Sequence, residues 1–344
     1  MRIAVVTDAW EPQVNGVVNT LKATVACLRG MDHEVLMLAP DDVRTFPCPT
    51  YPDIRLALKP YPTVAAKLAA FKPESIHIAT EGPMGLAARR YCLKHGLHFS
   101  TAYHTRFPEY VKARTGIPLG WTYRWLRWFH GPSRAIMVPT EKVKQVLAER
   151  GFQRLALWGR GVDTEHFTPR EGDGCRIERP LFLYVGRLAV EKNIEAFLKL
   201  DLPGSKWLIG DGPARDELEK KYPKARFLGA KPHAQLPAYY NCADVFVFPS
   251  LTDTFGLVLA EAMACGVPVA AYPVEGPIDV VADGRSGSLD QDLERACLKA
   301  LTMDREEVRR YALGYSWQAA TQQFLQHLYP VKPVVPAKAI PAMA

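Results

Sequence analysis

The sequence predicts an α/β protein of two doubly wound, Rossmann-like domains facing a cleft, and three observations predict it. Short β-branched runs alternate with helical patterns along most of the chain, which calls for parallel sheets covered on both faces. The alternation pauses once, at Arg160–Arg179 (RGVDTEHFTPREGDGCRIER), a polar, Gly-bearing stretch suited to an interdomain connection. The length, 344 residues, exceeds what most single cores accommodate.

Taken in order, the strands of the first series are Ile3–Thr7, Glu34–Leu38, Ser75–Ala79, Phe99–Tyr103 and Ala135–Val138. Helical patterns sit between them at Thr20–Leu28, Gly85–Lys94 and Glu141–Glu149, and the first domain is placed at residues 1–163. The second series, in residues 164–310, has strands at Leu181–Val185, Lys206–Ile209, Arg226–Leu228, Val245–Phe248 and Val267–Ala271 and a helix at Phe255–Met263. A helix over Tyr311–Leu328, in the segment 311–330, is expected to return to the first domain. Residues 331–344, rich in Pro and Ala, are expected to be disordered.

Composition narrows the function classes. A net charge of +7 points to an anionic partner, and no nucleic-acid motif accompanies it. The opening apolar run is too short for a signal peptide, and no apolar stretch is long enough to span a bilayer. The seven cysteines are odd in number and form no CxxC pair, so they are expected to be reduced thiols of a cytosolic protein.

Strand Leu181–Val185 runs into Gly186-Arg187-Leu188, with Glu191-Lys192-Asn193 opening the next helix. Arg187 and Lys192 thus stand at the carboxyl end of a parallel strand, where open α/β sheets bind ligands. Gly186 permits close backbone approach, and two cations there suit a diphosphate. On the residues alone, surface charge flanking a loop explains them equally well. Gly210-Asp211-Gly212-Pro213-Ala214-Arg215 begins like a dinucleotide fingerprint but has Arg215 in place of the third glycine. The amino-terminal turn TDAWEPQVNGV also lacks the G-x-G-x-x-G spacing, so hydride transfer is disfavoured. Phe227-Leu228-Gly229-Ala230-Lys231 offers backbone after a strand for a base edge.

In DTFGLVLAEAMACGVPVA, two carboxylates bracket a segment otherwise suited to burial. Asp253 falls on the loop at a strand's carboxyl end, and Glu261 lies about two turns further on the following helix. Asp253 can accept bonds from sugar hydroxyls and Glu261 from a ribose diol. The helix start between them, Thr254, Phe255, Gly256 and Leu257, presents positive potential to a phosphate.

Together GRLAVEKN, GDGP, FLG, ADVFVFPS and DTFGLVLAEAMACGVPV resemble the carboxyl-terminal half of the family 4 glycosyltransferases, and NGV, YHTRFPEY and RGVDTEHF fall where that family carries related segments. The resemblance implies the GT-B fold, a nucleoside-diphosphate sugar as co-substrate, retention of anomeric configuration, and no metal or other cofactor. It gives residues 1–163 to the acceptor and 164–310 to the nucleotide sugar. It implies donor-binding roles for Asn15, Gly16, Gly186, Arg187, Lys192, Gly210, Gly229, Ala230, Asp253, Thr254, Phe255, Gly256, Leu257 and Glu261. The Gly16 amide would face the diphosphate across the cleft, whereas the residue alone reads as a helix-start glycine. Where the family carries Glu-x7-Glu, this chain has Asp253 in the first place.

An isolated His104 reads as structural, but in YHTRF it resembles the family's sugar-contacting histidine. It thereby joins Arg187, Lys192 and Asp253 as a catalytic candidate. Glu81 and Arg106 are, with His104, acceptor-side candidates, a solvated loop carboxylate being the plain alternative for Glu81. The one Asp-x-Asp, Asp290-Gln291-Asp292, reads as a helix start rather than a metal-ligand pair.

In GWTYRWLRWFHG, Trp121, Trp125 and Trp128 share one helical face, with Arg124 and Arg127 turned aside. Two readings stand open: a core-facing aromatic stripe, or docking on an anionic membrane surface. The segments YHTRFPEY and ATEGPMG resemble glycolipid synthases of the family. The expectation is therefore a retaining hexosyltransferase moving sugar from a UDP-sugar to diacylglycerol, cytoplasmic and peripherally bound to the membrane's inner face. A polysaccharide or soluble acceptor, and a nucleotide-sugar-binding protein without catalysis, are the rivals.

Overall fold

The computed structural model describes residues 1–331 apart from 12, 14, 49–50, 106–107, 110–111, 113–115 and 171–176. Eight strands precede the interdomain segment: β1 (Arg2–Val6), β2 (Glu34–Leu38), β3 (Thr45–Cys48), β4 (Tyr51–Ala57), β5 (Ser75–Ile78), β6 (Ser100–Ala102), β7 (Ile136–Val138) and β8 (Leu155–Leu157). Six follow it: β9 (Leu181–Val185), β10 (Ser205–Ile209), β11 (Arg226–Phe227), β12 (Val245–Phe248), β13 (Val269–Ala271) and β14 (Gly287–Leu289).

Two six-stranded sheets result, ordered β2-β1-β5-β6-β7-β8 and β11-β10-β9-β12-β13-β14, with every pair parallel. The central strands Leu181–Val185 and Val245–Phe248 are buried at every position, as strands covered on both faces must be. Strand order reverses between β1 and β5 in one sheet and between β9 and β12 in the other. Those two switch points are where doubly wound sheets open a crevice at the strands' carboxyl ends.

Four strands were not foreseen. The β3–β4 hairpin carries Pro47 and Pro52, residues that argue against a strand in any sequence reading. Strands β8 (LAL) and β14 (GSL) contain no β-branched or aromatic residue to mark them as strands.

The expected helix Tyr311–Leu328 is two helices. Arg305–Ala312 packs in the second domain, with Val308 and Ala312 in the same core as Leu259 and Met263. The chain breaks after Ala312, and Ser316 caps a new helix, Trp317–Gln326, its hydroxyl accepting from Ala319 N at 3.1 Å. That second helix reaches the first domain, where Phe324 lies in a core with Ile3, Val5, Leu21 and Trp158. At the crossing, Val162 N donates to Tyr315 O (3.3 Å) and Gly159 N to Gln323 Oε1 (2.9 Å). Gly161 is required there, because a Cβ would stand 2.4 Å from Trp317 N.

The interdomain segment is not a loose linker. Arg160 and Val162 are buried, and Phe167 is buried in the second domain against Tyr240. The cysteine expectation is also corrected: Cys242 is disulfide-bonded, while Cys27, Cys92, Cys265 and Cys297 are free. Spacing rules report only cysteines close in sequence. Of the expected tail, residues 332–344 lie outside the described residues.

Candidate functional site

The β9 and β12 loops meet at the second sheet's switch point. Lys192 Nζ lies 2.6 Å from Asp253 Oδ1, with the two side chains 19% and 17% exposed. Around this pair, Asn193 Nδ2 donates to Pro249 O (3.1 Å) and Thr252 Oγ1 to Glu191 O (3.3 Å), so the loops are stitched together. Asp253 Oδ2 is sealed from solvent and has no hydrogen-bond partner among the described residues. A buried carboxylate oxygen in that state is a ready acceptor for a ligand hydroxyl. Arg187, exposed on the same loop, has its carbonyl held by the Tyr184 hydroxyl at 2.9 Å.

The third loop closes the floor. Gly210 N donates to Gly229 O (3.0 Å), and Leu188 N to Asp211 O (2.9 Å), while Ala230 is exposed beside them. Gly210 has φ +140°, and a Cβ there would lie 1.9 Å from Gly186 O. Gly210→Ala is accordingly expected to destabilise the protein by about 1–3 kcal/mol or more, the cost of a strained backbone. A melting temperature equal to the parent's would contradict that packing.

The helix Leu257–Ala264 starts from Gly256, in the left-handed region at φ 78°, with no side chain capping its first amides. Those amides carry the positive end of the helix, and Asp253, paired with Lys192, lies on the loop just before it. Phe255 is buried and packs edge-on against Tyr315, 6.0 Å between ring centroids, which fixes how this helix enters. On the same helix Glu261 is 6% exposed; Oε1 accepts from His233 Nε2 and Oε2 from the Tyr240 hydroxyl, each at 3.0 Å. The Glu261 hydrogen bond raises the His233 pKa, and burial, then Glu261, raises that of Tyr240. Sequence reading singled out neither residue, because both come from a segment without a ligand-like pattern.

Across the cleft, the Thr254 hydroxyl donates to His104 O at 2.8 Å, and a Cβ on Gly16 would lie 3.8 Å from Leu257 Cδ1. Gly16 and His104 are thus brought to the start of the Leu257–Ala264 helix. Asn15 is oriented differently: its Oδ1 accepts from Val17 N and Val18 N, both at 3.0 Å, and so caps its own helix. His104 packs edge-on against Trp158, and burial, then the charges of Arg160 and His77, hold its pKa well below the ordinary value. Arg160, unremarked in the sequence, donates to His104 Nδ1 at 3.1 Å.

Glu81 sits apart from this group. It lies on the loop after β5 and faces the fully buried His130, with 3.3 Å between Oε1 and Nε2. Beside it Asp8, also unforeseen, accepts from Met84 N (2.8 Å), Gly85 N (3.2 Å) and the Thr80 hydroxyl (2.9 Å). It caps the helix Pro83–Lys94, whose own N-cap is Gly82, and burial pushes its carboxyl up to about 6. Arg106 lies outside the described residues. Asp292 caps the helix Leu293–Ala300 and Asp290 pairs with Arg295, a helix start as read.

On the helix Leu119–His130, Trp121 is 77% and Trp128 53% exposed, and Arg124 and Arg127 are exposed too. Trp125 is half-buried and stacks on Phe129, so only part of the stripe faces the core. The Arg89 guanidinium lies 4.0 Å from the Trp128 ring centroid and donates to Trp128 O and Phe129 O, fixing that ring outward.

Residues 14–166 match the family profile described as Glycosyltransferase Family 4, and residues 179–302 that described as Glycosyl transferases group 1. The chain is 32% identical over 359 residues to a GDP-mannose-dependent alpha-mannosyltransferase of Mycolicibacterium smegmatis, covering 96% of this chain and 94% of that one. It is 30% identical to a sulfoquinovosyl transferase of Arabidopsis thaliana, covering 92% of this chain and 71% of the relative. An alpha-monoglucosyldiacylglycerol synthase of Acholeplasma laidlawii is 24% identical over 83% of this chain and 84% of its own. Among solved structures, a sucrose-phosphate synthase from Thermosynechococcus elongatus superposes with a TM-score of 0.75 at 21% identity, covering 94% of this chain and 97% of that one. The Anabaena protein HepE in complex with UDP superposes at 0.70 with 16% identity, covering 95% and 99%. At such identities the structural likeness speaks to fold alone.

Proposed function

Because the chain belongs to family 4 of the glycosyltransferases and has their GT-B fold, we propose that it moves a hexose, with retention, from a UDP-sugar to diacylglycerol at a membrane surface. The observation that carries the donor half is the group at the second switch point: Lys192 paired with Asp253, and Glu261 on the helix that begins beside them. In this reading Arg187, Lys192 and the uncapped helix start meet the diphosphate charge that grows as the glycosidic bond breaks. Preorganised donors of that kind supply about 10²–10³-fold each. Asp253 Oδ2 takes a sugar hydroxyl, Glu261 takes the ribose, and His104 closes over the sugar from the first domain. The leaving oxygen accepts the acceptor's proton on the same face, so no side chain need act as nucleophile. The diphosphate charge is met by protein groups alone, and the reading takes no metal.

The acceptor half is supported by the exposed Trp121 and Trp128 with Arg124 and Arg127 beside them, a surface that suits anionic lipid. The likeness to a monoglucosyldiacylglycerol synthase favours the same acceptor. A second reading of the donor, GDP-mannose, is favoured by the likeness to GDP-mannose-dependent mannosyltransferases. A screen of UDP- and GDP-hexoses with vesicles containing diacylglycerol, labelled products being separated by chromatography, tests both. Product formed equally well on a soluble acceptor without vesicles would refute the lipid assignment.

Docking has its own test. Arg124→Gln with Arg127→Gln is expected to weaken binding to anionic vesicles roughly thirtyfold, at about 1 kcal/mol per basic residue near the surface. Trp121→Ala with Trp128→Ala should weaken it further and reduce its tolerance of salt. Sedimentation with vesicles of graded anionic content measures this; parental binding in both pairs would remove the helix from the docking surface.

A further inference from the structure

Arg160 is 6% exposed, yet its described partners include no anion: it donates to Trp158 O (2.5 Å), Gly159 O (2.9 Å) and His104 Nδ1 (3.1 Å). Burial pushes its pKa down to about 9, still leaving it charged at neutral pH. A cation held in this way is costly, which asks what it does there.

A guanidinium only donates, so His104 Nδ1 must accept, and the neutral ring must carry its hydrogen on Nε2. The charged and titratable groups beside the ring, Arg160 and His77, both disfavour its protonation, and burial does so more strongly. His104 Nε2 is sealed from solvent and has no hydrogen-bond partner among the described residues. It is therefore a buried N–H donor lacking an acceptor, a condition that native structures rarely leave unanswered. The same residue's carbonyl receives the Thr254 hydroxyl at 2.8 Å, next to Asp253. One histidine thus joins an arginine of the interdomain segment to the loop assigned to the sugar.

We propose, on the strength of the donor assignment above, that Arg160 is a positioning residue: it fixes His104 as the Nε2–H tautomer and so turns that N–H toward use by a hydroxyl of the bound sugar. An Asn or Ser at position 160 could donate or accept, and the ring could invert. The inverted ring would present a lone pair where an N–H is wanted. Lysine keeps the one-way donor character, though without the fork that also grips two carbonyls.

Spectra of the full chain with 15N-labelled histidine report the tautomer directly, His104 being assigned by its loss in His104→Gln. The parent is expected to show a neutral Nε2–H ring throughout the ordinary histidine range, about pH 5.5 to 7.5. Arg160→Met should give mixed tautomers that titrate within that range, and turnover lowered about tenfold, the scale of one neutral hydrogen bond. Its pH–rate profile should gain a loss of activity on the acid side, while affinity for UDP or GDP alone stays parental. Arg160→Lys should restore the tautomer and most of the turnover. In a His104→Gln background, where the amide supplies a fixed N–H, Arg160→Met should lower turnover little further.

An Nδ1–H ring in the parent would overturn the proposal without any variant. So would a parental spectrum and rate in Arg160→Met, or a loss of nucleotide affinity there, which would make the arginine a diphosphate ligand instead. Failure of the donor assignment looks different: the tautomer result stands, but His104→Gln and Arg160→Met both transfer sugar at the parental rate. That outcome removes the sugar from the ring's role and leaves Arg160 as a structural clasp.

Discussion

Lys192→Ala is expected to lower turnover by about 10²–10³-fold, the effect of removing one preorganised donor from a site of developing charge. It is expected to cost stability as well. Lys192 is the partner of Asp253 at 2.6 Å, and both side chains are largely buried. Removing the lysine strands a carboxylate, which costs about 1–3 kcal/mol or more. The double variant Lys192→Ala with Asp253→Asn separates the two effects. Its melting temperature should recover most of the way to the parent's, because no charge is left unpaired, while its turnover should stay as low as that of Lys192→Ala. Turnover recovering together with stability would mean that the pair only holds two loops together.

Glu261→Gln should weaken binding of the nucleoside diphosphate by roughly 10–100-fold, corresponding to the 1.5–3 kcal/mol of a hydrogen bond to a charged group. The carboxylate already accepts from His233 Nε2 and from the Tyr240 hydroxyl. Glutamine keeps one acceptor oxygen and must turn its amide toward one of those two donors, so part of the melting temperature is lost as well. Asp253→Asn is the control, since a residue that holds only the sugar leaves affinity for UDP or GDP unchanged. Calorimetry with the nucleotide diphosphates and with the intact donors distinguishes the two carboxylates. Parental nucleotide affinity in Glu261→Gln would remove the ribose from its role.

Much of the scaffold was legible because burial writes itself into apolar runs. Leu181–Val185 and Val245–Phe248 are covered on both faces, and both were bounded correctly from sequence. The placement of Arg187, Lys192 and Asp253 on the loops after strands, and of Glu261 on the helix that follows, came from the same rhythm. The partners of those residues were not legible. Nothing in HAQLPAYY says that His233 and Tyr240 will grip a carboxylate about 20–30 residues onward, because such contacts are set by how the chain folds back on itself. Arg160 was hidden for the opposite reason: a charged residue in a polar segment reads as solvated, and only the fold reveals that it is enclosed. The break after Ala312 is legible in Gly314 and then Ser316, a stop and a start, although one apolar period runs across both helices.

The chain passes between the two domains twice, and the two passages run side by side: Val162 N reaches Tyr315 O, and Gly161 abuts the backbone of Trp317. A single tether would let the lobes swivel like a ball in a socket. Two tethers bonded to each other act instead like the pin of a door hinge, leaving one easy rotation that widens or narrows the gap and resisting twist. That rotation is the one that would part or join His104 and Gly16 with the Asp253 loop and the helix start after it. The register between the two halves of the candidate site is therefore carried by the paired crossings directly behind it, where Arg160 bonds His104 and Tyr315 packs on Phe255.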